Sequence, residues 1–194
     1  MRALLLSLVA GMFLLPAYAQ KKIKLASVDK KLDSVKHYHK ILIVGEGGMQ
    51  SRMYMDHLSP ELIKELKAHN IECKYEYLGD PHKVDTDYAL KKAEAWPHDA
   101  VLRFYPLAAT ENLSTHYINT APMMTHTGAM SYTGSGSLNE YYLVDDFEIF
   151  LTEGPETIWS ARLSTSIEMG KNTVYKRIRK VILDDMAKQN VLTL

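Results

Sequence analysis

The stretch Lys40–Asn70, KILIVGEGGMQSRMYMDHLSPELIKELKAHN, decides how the chain is read. It opens on four consecutive apolar residues, Ile41, Leu42, Ile43 and Val44, the pattern of a strand covered on both faces. Gly45, Gly47 and Gly48 interrupt the run around Glu46, and a helical pattern follows to a stop at His69-Asn70. In it Met55, Leu58, Leu62 and Leu66 recur at three and four residues, with Ile63 widening the stripe. A β-branched run, a glycine turn and an amphipathic helix begin an α/β layer. Ser59-Pro60 leaves two readings: Pro60 kinks one long helix, or Ser59 caps a fresh helix with Pro60 at its first position. The second is favoured, because Glu61 then sits at the positive end of a helix dipole.

Downstream, Ile71–Leu78 alternates Ile71, Cys73, Tyr75 and Tyr77 against Glu72, Lys74 and Glu76, a half-exposed strand near a sheet edge. Gly79-Asp80-Pro81 is turn chemistry. A short helix is expected within Asp85–Trp96, burying Tyr88, Ala89, Ala93 and Trp96, and a third strand over Asp99–Tyr105. The order β-α-β-α-β predicts a parallel sheet with right-handed crossovers. Residues 107–137 change character, rich in Thr, Ser, Ala and Gly and carrying Met123, Met124, Met130 and Tyr132. They read as edge strands plus a mobile loop, or as an adaptable contact surface. Tyr141–Thr152 and Thr157–Ile167 form a hairpin about Glu153-Gly154-Pro155-Glu156. Phe147, Ile149 and Leu151 share a face of one arm; Trp159, Ala161 and Leu163 share a face of the other. A closing helix, capped at Asn172 or Thr173, buries Val174, Ile178, Val181, Ile182 and Met186 and stops at Asn190.

Upstream, residues 1–19 have the form of a secretory signal. Arg2 is followed by the apolar run Ala3–Leu15, then by Ala17 and Ala19 at cleavage spacing, and the run is too short to span a bilayer. No cysteine follows the run to carry a lipid, so the expected location is the periplasm or the medium, without a lipid anchor and without a transmembrane segment after cleavage. Residues 20–38 are a polar lead-in, either a short surface helix or an ordered approach to the first strand. Residues 39–194 are then a single domain. Cys73 is the sole cysteine, so no internal disulfide is available and the thiol reads as a small apolar strand residue. Lys and Arg total 23, as do Asp and Glu, which gives no electrostatic reason to bind nucleic acid.

Candidate chemistry concentrates on the glycine turn. Amides freed by Gly45, Gly47 and Gly48 before a helix can cradle an anion. Glu46 opposes a phosphate there, and neither dinucleotide nor P-loop spacing is met. The plainer reading is a βα turn needing positive φ and close packing. Ser51 and Arg52 stand at its exit. A hydrolase or transferase reading would join Ser51 to His82 and Asp80 as nucleophile, base and orienter, with Tyr105 nearby at the carboxyl ends of the strands. A metal reading would use His37, His39 and His57, without a tight ligand cluster. No catalytic residue, metal or cofactor is assigned.

The β-glycine-loop-α unit, the return arm carrying Ile158-Trp159-Ser160-Ala161 and the terminal helix together resemble bacterial envelope α/β domains. The pattern is similar to the TolB amino-terminal domain and to envelope lipoproteins of the curli-secretion and penicillin-binding-protein-activator type, over roughly residues 38–192. The chain departs from the lipoproteins in lacking the lipid-bearing cysteine. What the resemblance implies is a non-enzymatic accessory role with a protein partner in the envelope. The expected architecture is an α/β sandwich on a mixed sheet, β-α-β-α-β followed by antiparallel strands and a C-terminal helix. The expected binding residues are Gly45, Gly47, Gly48, Ser51, Arg52, Met123, Met124, Met130 and Tyr132; oligomeric state is not fixed by the sequence.

Overall fold

The computed structural model describes residues 23–28, 32–117, 137–168 and 173–193, with backbone alone at 108–117, 137–145 and 166–168. In chain order the elements are β1 (Lys24–Ser27), β2 (Lys40–Glu46), α1 (Met49–Ala68), β3 (Glu72–Gly79) and α2 (Thr86–Ala93). They continue with β4 (Ala100–Tyr117), β5 (Ser137–Glu153), β6 (Glu156–Glu168) and α3 (Thr173–Lys188). The strands make one mixed sheet in the order β1-β6-β5-β4-β2-β3. β2 runs parallel to β3 and β4, and β4, β5, β6 and β1 follow antiparallel. The α/β class and the closing helix are as the sequence predicts.

Period-two alternation assigns each strand residue to a face. Ile41 and Ile43 of β2, with Leu102, Phe104, Phe147, Ile149, Leu151, Trp159 and Leu163, form the main core beneath α1 and α3. Tyr54 joins the layers, its ring 4.8 Å from Phe147 and 5.5 Å from Tyr175. Leu42 and Val44 face the other way, into a smaller core with Leu78, Ala93 and Val101 beneath α2. β2 is therefore apolar at consecutive positions because both its faces are covered. β3, at the sheet edge, keeps Glu72, Lys74 and Glu76 on its outer positions, with Lys74 and Glu76 2.9 Å apart.

Both long helices end as their asparagines require. Asn70 and Asn190 adopt φ 63° and 59°. In α1 the Ile71 N–H donates to Leu66 O and the Asn70 N–H to Lys67 O; in α3 Val191 and Asn190 repeat this on Met186 and Ala187. These are Schellman closures, and the residue after each asparagine, Ile71 or Val191, turns into the main core.

Three expectations need correction. α1 is one helix through Pro60, not two. Tyr54, Met55, Leu58, Leu62 and Leu66 make one continuous buried stripe. At about 1.5–3 kcal/mol per buried side chain this outweighs the roughly 3 kcal/mol of an interior proline. Of the two readings of the lead-in, the ordered approach is the one found among the described residues: 24–27 are a strand paired with β6 from Lys24↔Ser164 to Ser27↔Ala161. Ser27 Oγ and Trp159 Nε1 donate to Asp185 at 3.1 and 3.0 Å, pinning β1 to α3. Tyr88 is 70 % exposed, because an eight-residue helix turns Thr86, Ala89, Leu90 and Ala93 to the sheet and position 88 away. In α3, Val181 is only half-buried, and Tyr175 and Leu183 fill the contact instead.

The third strand also runs far past Tyr105. β4 pairs with β5 from Val101↔Thr152 to Tyr117↔Ser137, with a register shift between Pro106 and Ala108. Proline has no N–H to give a ladder, and this one falls just where β4 outlasts β2, whose pairing ends at Gly45↔Phe104.

Candidate functional site

β2 hands the chain to α1 on one face of the sheet and β3 hands it to α2 on the other. The two connections part at the carboxyl ends of these adjacent parallel strands, where open α/β sheets leave a crevice. A cleft of about 650 Å³ lies there, bordered by Gly47, Gly48 and Arg52 on one side and Asp80, Lys83 and Tyr88 on the other.

Each glycine of the turn has a distinct reason. A Cβ at Gly45 would stand 2.9 Å from Met55 Cγ, so this glycine lets α1 close on β2. Gly47 has φ +124°, and a Cβ there would meet Pro106 Cγ and Ser51 Oγ at 2.7 Å. Its N–H donates to Gly79 O at 2.9 Å, tying the two turns together. Gly48 is the N-cap of α1 in extended conformation, with no side-chain cap and no acidic residue in the first turn. A Cβ there would meet nothing within 4 Å.

Tyr77 locks the turn from β3. Its hydroxyl lies 2.7 Å from Gly47 O and 2.9 Å from Gly48 O and shares its one hydrogen between them. Burial pushes this phenol up to about 12, with Asp80, Asp56 and Glu46 adding to the effect and Arg52 opposing it, so it remains a donor. The Arg52 guanidinium lies over the Tyr77 ring, 5.7 Å from its centroid, and Nε stands 3.9 Å from Asp56. Across the cleft Asp80 Oδ1 accepts the His82 N–H at 3.0 Å, and Lys83 Nζ is 3.5 Å from Oδ2. The His82 amide, helped by Lys83, holds this carboxyl below the usual range. Asp85 caps α2 by accepting the Tyr88 N–H at 2.9 Å.

Of the residues singled out in the sequence, Gly47, Gly48 and Arg52 border the cleft. Gly45 is buried against Met55 and Tyr75, and Ser51 is buried against Gly47. Met123, Met124, Met130 and Tyr132 fall outside the described residues. Ser51 and His82 are not joined by a hydrogen bond among the described residues; the hydrogen bond from His82 to Asp80 comes from its backbone N–H. Tyr105 is exposed at the α2 face of β4. His37 and His39 are exposed on either side of buried Tyr38, and the His57 ring stacks on Tyr175 at 5.2 Å. Burial, the largest influence, pushes the half-buried Cys73 thiol up to about 11.

Glu46 does not face the turn. It is 0 % exposed on the α2 side of the sheet, where Arg103 Nε and Nη2 donate to its two oxygens at 2.8 and 3.1 Å. The pairing is visible in the sequence only once β2 and β4 are aligned, since Glu46 and Arg103 continue the phase of Val44 and Val101. Tyr77 has a plainer signal, a phenol at the carboxyl end of a strand beside a glycine turn. The arrangement offers a preorganised recess with cationic side chains and an apolar rim, a geometry for binding.

The chain matches no protein-family model and no curated protein. Among solved structures it is similar to the PelC dodecamer from Paraburkholderia phytofirmans, with TM-score 0.47, 12 % identity, and coverage of 89 % of this chain and 100 % of that one. A second PelC structure from that organism gives 0.44 and 11 % with the same coverage. A minor lipoprotein from Acinetobacter baumannii is similar at TM-score 0.23 and 17 % identity, over 78 % of this chain and 88 % of its own.

Proposed function

We propose that the chain is an exported, non-catalytic binding or accessory protein of the cell envelope, free of a lipid anchor, and that it takes a protein partner through the far end of the β4–β5 ribbon. One observation carries this reading. Leu113–Tyr117 pair with Ser137–Tyr141, and among the described residues neither segment has a second strand beside it. β6 joins β5 only from Tyr142↔Glu168 onward. A two-stranded ribbon alone is marginal in water, and each open edge carries unpaired N–H and C=O groups. An added strand from a partner satisfies both needs through main-chain hydrogen bonds. Exposed Tyr105 and Leu107 stand at the ribbon's base.

Residues 1–19 support export, and no helix among the described residues is long and apolar enough to cross a membrane. The catalytic alternative, a hydrolase or transferase at the strand ends, is the weaker reading, because Ser51 is buried and His82 turns its backbone to Asp80. The test is a double substitution, Ser114→Pro with Thr115→Pro. Consecutive strand residues point their N–H groups to opposite sides, so one proline blocks the outer edge of β4 and the other removes a ladder bond to β5, and the far end of the ribbon no longer accepts a strand on either edge. Partner capture from envelope fractions is expected to vanish while the thermal midpoint moves by a few degrees at most. Capture at the level of the unsubstituted chain would contradict the assignment.

A further inference from the structure

The cleft between the carboxyl ends of β2 and β3 has a chemistry of its own, independent of the ribbon. Its rim carries Met49, Val84 and Tyr88, which rank among the most exposed large apolar side chains of the described residues at 73, 49 and 70 %. Scattered apolar side chains need no explanation, but three around one recess form a wall for an apolar body. The recess is about 650 Å³, the size of sites that enclose small organic ligands.

The charges of the recess are not equally available. Its carboxylates are engaged by backbone, Asp80 by the His82 N–H and Asp85 by the Tyr88 N–H. The cations are looser. Lys83 is largely exposed and 3.5 Å from Asp80, and Arg52 reaches its nearest carboxylate, Asp56, only at 3.9 Å. Arg52 lies over the Tyr77 ring, 5.7 Å from its centroid, a contact that leaves guanidinium N–H groups able to donate to an acceptor. The floor is rigid, because Tyr77 and Gly79 hold the backbone of Gly47 and Gly48.

We propose that this cleft binds a small amphipathic anion, with a flat apolar body against Met49, Val84 and Tyr88 and one acidic group on Arg52 and Lys83.

The probe that matches this chemistry is 8-anilinonaphthalene-1-sulfonate, titrated by fluorescence against the full chain. Its control is uncharged 1-anilinonaphthalene, the same body without the acid. The sulfonate is expected to bind at one saturable site and more tightly than the neutral probe. Arg52→Gln is expected to weaken the sulfonate about tenfold, the worth of one charge-assisted hydrogen bond, and to leave the neutral probe unchanged. Tyr88→Ala should weaken both probes. Gly48→Asp fits the extended backbone and open space at the α1 N-cap, so it should keep or raise the thermal midpoint while repelling the sulfonate. Equal binding of the two probes overturns the proposal, as does sulfonate binding indifferent to both Arg52→Gln and Gly48→Asp. Displacement by 1-naphthyl phosphate or by 1-naphthoate identifies the head group as phosphate or carboxylate; displacement by neither overturns the assignment.

Discussion

Arg103 on β4 grips Glu46 on β2 with two side-on hydrogen bonds, and the carboxylate it holds is buried. The pair bridges neighbouring parallel strands one step before the turn that shapes the cleft. Such a pair adds little over an apolar replacement but is costly to break singly, since one buried charge is then left alone. Arg103→Met should therefore destabilise the chain by about 3 kcal/mol, the low end for a pair whose arginine is partly exposed. The double change Glu46→Leu with Arg103→Met should recover most of that loss. Urea unfolding of the two variants decides it; equal losses would show that the pair stabilises the fold outright.

Gly47 and Gly48 are neighbours with opposite tolerance. At Gly47 an alanine would carry a Cβ at φ +124° and within 2.7 Å of Pro106 and Ser51. That combines backbone strain of about 1–3 kcal/mol with overpacking of similar size. At Gly48 an alanine meets nothing. Thermal unfolding should place Gly47→Ala many degrees below the unsubstituted chain and Gly48→Ala within about two degrees of it. Similar midpoints for both variants would contradict the geometry of the turn.

The approach to β2 sets an acid limit on stability. Asp99 accepts the His39 and Lys40 N–H groups at 2.6 and 2.9 Å, and these two bonds are the main reason its carboxyl lies below its ordinary 3.8. Glu153 accepts from the Tyr38 hydroxyl at 2.6 Å and Lys36 at 2.9 Å, which hold it below its ordinary 4.5. A depressed carboxyl favours the folded chain fully above its unfolded value. The contribution is lost as pH falls from that value through the folded one. Stability from urea midpoints should hold from neutral pH to roughly pH 5 and decline below it. Asp99→Asn with Glu153→Gln should lower stability at neutral pH and flatten the acid slope; an unchanged slope would assign it to other groups.

Pro60 lies on the exposed side of α1, inside a helix that the buried stripe carries through it. Pro60→Ala restores one helix N–H and removes a steric conflict, at the expense of a less restricted unfolded chain. The net gain should be about 1–2 kcal/mol by urea unfolding. A loss of stability would mean that the helix breaks there.

What the sequence made legible follows the range of each signal. The continuous apolar run of β2, the alternation of β6 about Trp159 and the asparagine stops of α1 and α3 are local, and they name their structures directly. Pro60 misleads because the cost of a proline is local while the burial that overrides it is tertiary. β1 escapes because four residues hold no period; its place depends on Asp185 in the last turn of α3 and Gln189 just past its end, 158 and 162 positions away from Ser27. The cleft was half legible. Glycines announce a turn, but Tyr77 and the rim formed by Val84 and Tyr88 join it only through the β2–β3 crossover. The exposure of Tyr88 has no sequence signal beyond the shortness of its helix.

Docking of a partner on the β4–β5 ribbon is tested by photo-crosslinking in the native envelope. A probe amino acid is placed at Ser114 and, as control, at Lys180 on the exposed side of α3. One recurring protein adduct is expected from Ser114 and none from Lys180. Adducts alike from both positions, or none from Ser114 while Lys180 gives one, would contradict it.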